Sequence, residues 1–390
     1  MKIKYISIIA ICLIAVVLLF LQSLIKGMGE TVNLAEKKME LVVYDSIDLK
    51  DGSEFQVKSY NPKTGLYTLI RDKSIVGFNK EGKVFSFNKF GKGPDEYNFS
   101  SSYVTCPRET NEGSVYINSD NYLKSFDSKG ELLSSKKIDD DVYYAGRILL
   151  GRDDSDDNIF YFRGKGPAYL RKEDPDPNVY SDSPSFFSFN VKDNSIHLYG
   201  QGMEENLLQK EINVYSMIFP EMSYNSQTKD VGILYGSSKE FFSIPLDTTK
   251  EVSSFKLSPS FFNITVPEKR PESDLGYRML GLKQAAYGGF YYNADTLITK
   301  YRASFSDELL DKHSEEIADP SKYDNFYNSF VKYYLDIYVN KKKVSDDLLV
   351  PKPYQVALIG DANNILLYKT GEELTIDNKP VKRLYFARLQ

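Results

Sequence analysis

The chain has 390 residues, 42% of them hydrophobic and 26% charged, and a net charge of −5. It is apolar enough to bury a core, which excludes a disordered stalk, and its acidic balance argues against a nucleic-acid partner, which needs a basic face. Cys106 is the only cysteine beyond residue 26, so the large domain holds no intrachain disulfide.

After a short tail at residues 1–4, residues 5–25 (YISIIAICLIAVVLLFLQSLI) carry no charge. A helix needs about 20 apolar residues to cross a bilayer core, and this run has that length. It is longer than the roughly 7–15 apolar residues of a cleaved secretory signal. The run ends in Gln22-Ser23-Leu24-Ile25-Lys26-Gly27, without an Ala-x-Ala cleavage pattern. The segment reads as an uncleaved transmembrane signal anchor, with a cleaved signal as its rival. Lipidation at Cys12 is disfavoured by Ile11, which stands where processing wants a small residue. Lys2 and Lys4 favour an inside N-terminus, which puts the rest of the chain on the periplasmic or extracellular side; Lys26, Lys37 and Lys38 offset that bias. Residues 26–40 read as a linker and residues 41–390 as one domain. From Gly27 onward 46 basic residues face 54 acidic ones, a net charge of −8, so no polybasic segment draws the domain onto anionic lipid.

Short strand-like runs then follow one another: Leu41 to Leu49, Gly65 to Ile70, Ser74 to Phe78, Ser114 to Asn118, Asn158 to Phe162, Asp230 to Tyr235, Asn364 to Tyr368 and Arg383 to Leu389. Turn residues separate them at spacings of roughly 8–12 residues, which predicts an all-β sandwich, barrel or propeller. The 30 Tyr and 24 Phe are spread along the chain and serve to pack sheets against one another.

The turns repeat. Phe78-Asn79-Lys80-Glu81-Gly82-Lys83-Val84 resembles Phe126-Asp127-Ser128-Lys129-Gly130-Glu131-Leu132, and Phe189 to Ile196 and Leu246 to Val252 are looser versions. Each reads as a hairpin opened by Asn or Asp. Their starts lie 48, 63 and 57 residues apart, near the roughly 40–50 residues of a four-stranded propeller blade. A Gly-x-Gly echo recurs at Gly91-Lys92-Gly93, Gly164-Lys165-Gly166 and Gly200-Gln201-Gly202. The spacing places each where the chain leaves the outer strand of one blade for the inner strand of the next, with glycine supplying a positive φ. Leu41 to Leu49 is expected to close the ring by pairing with Arg383 to Leu389. Asp319-Pro320 opens a helix that carries Tyr323, Phe326, Tyr327, Phe330 and Tyr334 at helical spacing and leads into the innermost strand of a late blade.

At Gly91 to Tyr97, following the Phe78 to Val84 hairpin, the chain resembles the Gly-x-Gly-Pro-x-Glu-Tyr signature of bacterial envelope six-bladed β-propellers, which are similar in architecture to NHL and TolB-like propellers. Phe326 to Val339 is similar to a second feature of one subgroup. The resemblance covers most of Leu41 to Gln390. It implies an all-β six-bladed propeller and export, and it implies no reaction. Many members look like lipoproteins; this chain departs from them in having a membrane span instead.

No chemistry-bearing motif stands out. His197 and His313 have no metal-ligand neighbours at useful spacing, and no nucleophile elbow accompanies them. The acidic run Arg152 to Asn158 lacks the glycine and the closing Glu of a calcium loop and reads as a solvated hairpin turn. The Gly-x-Gly turns are neither a dinucleotide fingerprint nor a P-loop, so no cofactor and no catalytic or metal residue is assigned. Two readings remain. One is a non-catalytic, membrane-tethered binding or scaffold module that meets a protein, peptide or glycan, with Gly164 to Pro184 and Pro259 to Gly276 as its recognition loops. The other is a carboxylate-dependent hydrolase or lyase with its site at the mouth of the propeller channel.

Overall fold

The structure, a computed structural model, describes residues 39–390 apart from 51–54, 99–107, 110–112, 120–121, 139–148, 154, 164–184, 201–219, 237, 265–272, 373 and 377–378. The anchor at residues 5–25, Cys106 and the loop from Gly164 to Pro184 lie outside the described residues. Among those residues, no helix is long and apolar enough to cross a membrane.

Strand β1 (Leu41–Lys50) stands apart from the residues that follow it. Blade 1 is β2 (Phe55–Asn61), β3 (Leu66–Arg71), β4 (Ser74–Asn79) and β5 (Gly82–Phe87). Blade 2 is β6 (Arg108–Glu109), β7 (Val115–Ser119), β8 (Tyr122–Phe126) and β9 (Leu132–Lys137). Blade 3 is β10 (Leu149–Arg152), β11 (Ile159–Arg163), β12 (Phe186–Asn190) and β13 (Ile196–Tyr199). Blade 4 is β14 (Glu221–Asn225), β15 (Asp230–Leu234), β16 (Glu240–Pro245) and β17 (Ser253–Lys256). Helix α1 (Asp274–Lys283) precedes blade 5, which comprises β18 (Ala286–Asn293), β19 (Thr296–Arg302), β20 (Tyr333–Val339), β21 (Lys342–Lys343) and β22 (Leu348–Leu349). Helices α2 (Asp307–Lys312), α3 (Ser314–Ala318) and α4 (Pro320–Phe330) are inserted between β19 and β20. Blade 6 is β23 (Tyr354–Asp361), β24 (Asn364–Lys369), β25 (Leu374–Ile376) and β26 (Lys379–Leu389), completed by β1.

The ring closes as expected. β1 pairs antiparallel with β26 from Leu41 opposite Leu389 to Lys50 opposite Val381. Arg383 donates to both carboxylate oxygens of Asp48 at 2.6 and 2.9 Å. The Asp48 carboxyl lies below its ordinary pKa, chiefly through the hydrogen bond from Arg383.

Each blade buries both faces, and the core is a ring of six seams. Phe187 and Phe189 of β12 point toward blade 2, while Phe186 packs with Val231 and Ile233 of blade 4. In β19, Leu297 and Tyr301 join blade 4, and Ile298 joins blade 6. Leu49, Leu384 and Phe386 of the closing blade meet Tyr67, Val76 and Phe78 of blade 1. Burying one such side chain fully contributes about 1.5–3 kcal/mol, so the tyrosines and phenylalanines are the cement between sheets.

The hairpin repeat joins the third and fourth strands of blades 1 to 4. An Asx turn stands at the same place in each: Asn79 Oδ1 accepts from Glu81 N at 3.0 Å, Asp127 Oδ1 from Lys129 N at 2.8 Å, Asn190 Oδ1 from Lys192 N at 2.9 Å and Asp247 Oδ1 from Thr249 N at 3.1 Å. The Gly-x-Gly echo is less regular. Those beginning at Gly91 and Gly200 follow the last strands of blades 1 and 3, but the copy at 164–166 stands between β11 and β12 in the sequence, outside the described residues. Gly200 has φ +65° as expected, whereas neither Gly91 nor Gly93 is at positive φ. Those two are small for a different reason. The Glu96 carboxylate folds back onto Gly93 N at 2.6 Å, and a Cβ on Gly91 would collide with it. Tyr97 is buried behind it and donates to Lys73 O at 2.5 Å, and Lys124 of blade 2 caps the carbonyls of Pro94 and Glu96. The signature segment is a buckle between blades 1 and 2.

The helix at Asp319 forms with Pro320 at its first position and Asp319 capping Ser321 N. It leads into β20, which is the third strand of blade 5 and not the innermost. Helices α1 to α3 were not expected from the sequence. Leu282, Leu310, Ile317 and Phe326 draw all four helices into a small core of their own.

Two outcomes follow. Leu49→Ala should lower unfolding stability by about 2–5 kcal/mol in one cooperative transition, whereas Val84→Ala, 55% exposed on β5, should be nearly silent; urea unfolding checks both. Gly91→Ala should cost about 1–2 kcal/mol, the worth of the displaced Glu96 to Gly93 bond. In a Glu96→Ala background most of that cost should vanish, which a double-mutant cycle measures.

Candidate functional site

The first strands of blades 1, 3, 4, 5 and 6 surround a central cavity of about 610 Å³. Their ends supply its rim. At four of these ends an Asn or Asp caps the following turn: Asn61 accepts from Lys63 N, Asp153 from Ser155 N, Asn225 from Gln227 N and Asp361 from Asn363 N. Sequence reading missed this second Asx repeat; the Asn or Asp at the end of each of those strands was the available signal.

Asp153 is the most heavily engaged group on the rim. Its carboxylate accepts from Tyr161 OH at 2.7 Å, Lys229 Nζ at 3.0 Å, Ser155 N at 2.7 Å and Ser155 Oγ at 2.5 Å. Burial opposes its ionisation, but these bonds outweigh burial and hold the carboxyl well below the usual range. The acidic run is therefore a hairpin turn, as read, but its first acid is buried and networked rather than solvated. Asp157 pairs with Arg152 at 2.9 Å. Asp153 is held as an ion by its partners, a poor arrangement for a proton donor.

Blade 5 shapes the opposite wall. Gly288 and Gly289 lie in β18, and Lys300 of β19 reaches the cavity beside them, donating to Val356 O of β23 at 3.1 Å. Burial depresses the Lys300 pKa, and the Glu221 carboxylate of β14 pulls it back upward. Tyr60, Tyr224 and Tyr291 add phenol rings to the lining.

A second polar cluster lies in the seam between blades 4 and 5, away from the cavity. Asp336 is fully buried, 3.0 Å from Lys343 Nζ, which also contacts Asp347 at 2.5 Å. Ser260 N donates to Asp347 at 2.7 Å, and Tyr338 OH to Asp336 at 3.3 Å. Burial, then the hydrogen bond shared with Asp347, pushes Asp336 up to about 7. Burial works against Asp347 as well, but bonds from Asp336, Lys343 and Ser260 outweigh it and hold its carboxyl low.

Parts of one expected recognition loop pack into or beside this seam. In Pro259 to Gly276, Phe262 is 1% exposed in the seam core, Phe261 stacks on Tyr334 at 4.7 Å, and Ser273 caps α1. Those parts are structural, and residues 265–272 lie outside the described residues. His197 is exposed on β13, while His313 Nδ1 lies 3.1 Å from Glu316. Among the described residues, no three His, Cys, Asp or Glu side chains gather around a common metal position.

Asp336 sets a pH dependence. It binds its proton more tightly folded than unfolded, so its contribution makes stability fall as pH rises from 3.8 to about 7 and level off above. Asp347 acts oppositely, giving stability present above the ordinary aspartate value and lost as pH falls through its depressed one. Asp336→Asn should shrink the loss of stability between pH 5 and pH 8, measured by urea unfolding at both values; an unchanged difference would refute this assignment.

No family model and no curated protein matches the chain. Among solved structures it is similar to a member of the DUF4221 family from Bacteroides vulgatus, with TM-score 0.59 and 11% identity over 90% of this chain and 99% of that one. It is also similar to a Bacteroides fragilis protein described as exported, with TM-score 0.51 and 11% identity over 90% of this chain and 95% of the other. Likeness at that identity is likeness of fold. The chain is a six-bladed β-propeller of the architecture these Bacteroides proteins share, consistent with the envelope propellers that its Gly91 to Tyr97 signature resembles.

Proposed function

We propose that the chain is a non-catalytic binding module, tethered to the membrane by residues 5–25 with its propeller on the outer side. The observation that carries the binding reading is the preformed cavity of about 610 Å³, walled by the first strands of five blades. A rigid ring that presents turns around a cavity is suited to recognition without rearrangement. Asp153 and Asp157 support this over hydrolysis, because both are tied up by donors at the rim. The exported description of the Bacteroides fragilis propeller and the uncharged run at residues 5–25 support the outer, anchored placement. The partner class is a protein, peptide or glycan; the net charge of −8 beyond the anchor disfavours nucleic acid.

Cross-linking in intact cells, followed by pull-down of the full-length chain from membranes, tests the reading. Ser223→Trp, which fills the cavity from β14, should abolish capture of the recovered partner. Leu133→Trp on the exposed edge strand β9 should not. Equal capture by both variants would contradict the cavity reading, as would turnover of a glycan or peptide that is lost on substituting Asp153 or Glu221. Recovery of a mature chain beginning near Gly27 would contradict the tether.

A further inference from the structure

The inner wall of blade 5 is breached at one point. Across β18 and β19, Tyr287 pairs with Tyr301 and Phe290 with Thr299, so Gly288 and Gly289 together oppose Lys300. This is a β-bulge, a device that re-aims side chains near functional sites. A Cβ on Gly288 would lie 3.4 Å from Lys300 Cε and 3.8 Å from its Nζ. A second-strand side chain, which ordinarily stays inside the blade, thus crosses the bare glycine backbone of the first strand and emerges on the cavity.

Its ammonium has three donors, and one is spent on Val356 O. Glu221 lines the same cavity from blade 4 and acts on Lys300 through its charge, but the two make no direct ion pair. A cation and an anion therefore share one recess without neutralising each other in contact. Lys300, removed from bulk water, is best compensated by an opposite charge placed against it, and Glu221, exposed at the start of β14, offers its carboxylate to a cationic group beside it. A ligand carrying both signs fulfils that for both walls at once, with Tyr60, Tyr224 and Tyr291 available to its apolar part.

We propose that the central cavity takes a small zwitterion, its carboxylate on Lys300 Nζ and its amino group toward Glu221. The proposal rests on reading the cavity as a binding site and goes beyond the partner class proposed above by giving the cavity a small-molecule occupant.

Calorimetric titration of the full-length chain in detergent, with L-alanine and L-phenylalanine as probes and acetate and methylammonium as single-charge controls, tests it. At least one amino acid should bind, and each control should bind about tenfold or more weakly, since one charge-assisted contact is missing. Lys300→Gln and Glu221→Gln should each weaken the amino acid by a similar factor. Gly288→Leu keeps both charges but fills the breach, and it should do the same with the melting temperature of the rest of the ring retained. Acetate binding as tightly as the amino acid, unchanged affinity in Lys300→Gln and Glu221→Gln, or no binding of either amino acid would each overturn the proposal. Loss of partner capture in Ser223→Trp would stand even then, so failure of the zwitterion site and failure of the binding reading are separable.

Discussion

Everything in this molecule depends on sheets packed face to face around a closed circle. A sheet in a sandwich buries one face; a blade in a ring must bury two, and each of the six seams here is apolar. That requirement explains why β11, β12 and β15 are buried at successive rather than alternate positions. It also explains why the aromatic residues are distributed evenly along the chain. Without β1 the last blade would lack a full-length outer strand. β1 supplies it from the N-terminal side of the domain, pairing along β26 and so joining the two ends of the domain in one blade.

Closure fixes where polar chemistry can lie. A charged cluster inside a seam, Asp336 with Lys343 and Asp347, is knitted to the blade 4 connection through Ser258 and Ser260. A further set of polar groups collects on the inner strands and their turns. There the Asx caps stiffen the rim, and the Asp153 network joins blade 3 to blade 4 through Lys229 and Tyr224. The cavity is thus built by elements that the seams already hold rigid, and binding to it orders little additional chain.

Features set by local backbone chemistry were legible in the sequence. Asn79, Asp127, Asn190 and Asp247 each begin a turn with a side chain that satisfies the backbone two residues on, and such a turn looks the same wherever it occurs. The pairing of the two chain ends was legible for the same reason, since both are clear strands. Features set by tertiary approach were not. Gly91 is small because Glu96 folds onto it, and Gly288 because Lys300 passes over it; a single sequence shows only the glycine. The burial of Asp153 was hidden inside an acidic run that looks solvated, because Tyr161 reaches it from β11 and Lys229 from the turn between β14 and β15. β20 was misplaced as an inner strand because the helical insertion before it looks like a connection between blades, whereas it joins the second and third strands of one blade.

The claim that the ring is a single closed unit is tested most directly by native-state hydrogen exchange on the full-length chain. Amides of β1 and β26 should exchange as slowly as those of β3 and β15, all through one global opening. Fast exchange confined to β1 and blade 6, with the other blades still protected, would mean that the ends do not hold the ring shut and would contradict the account.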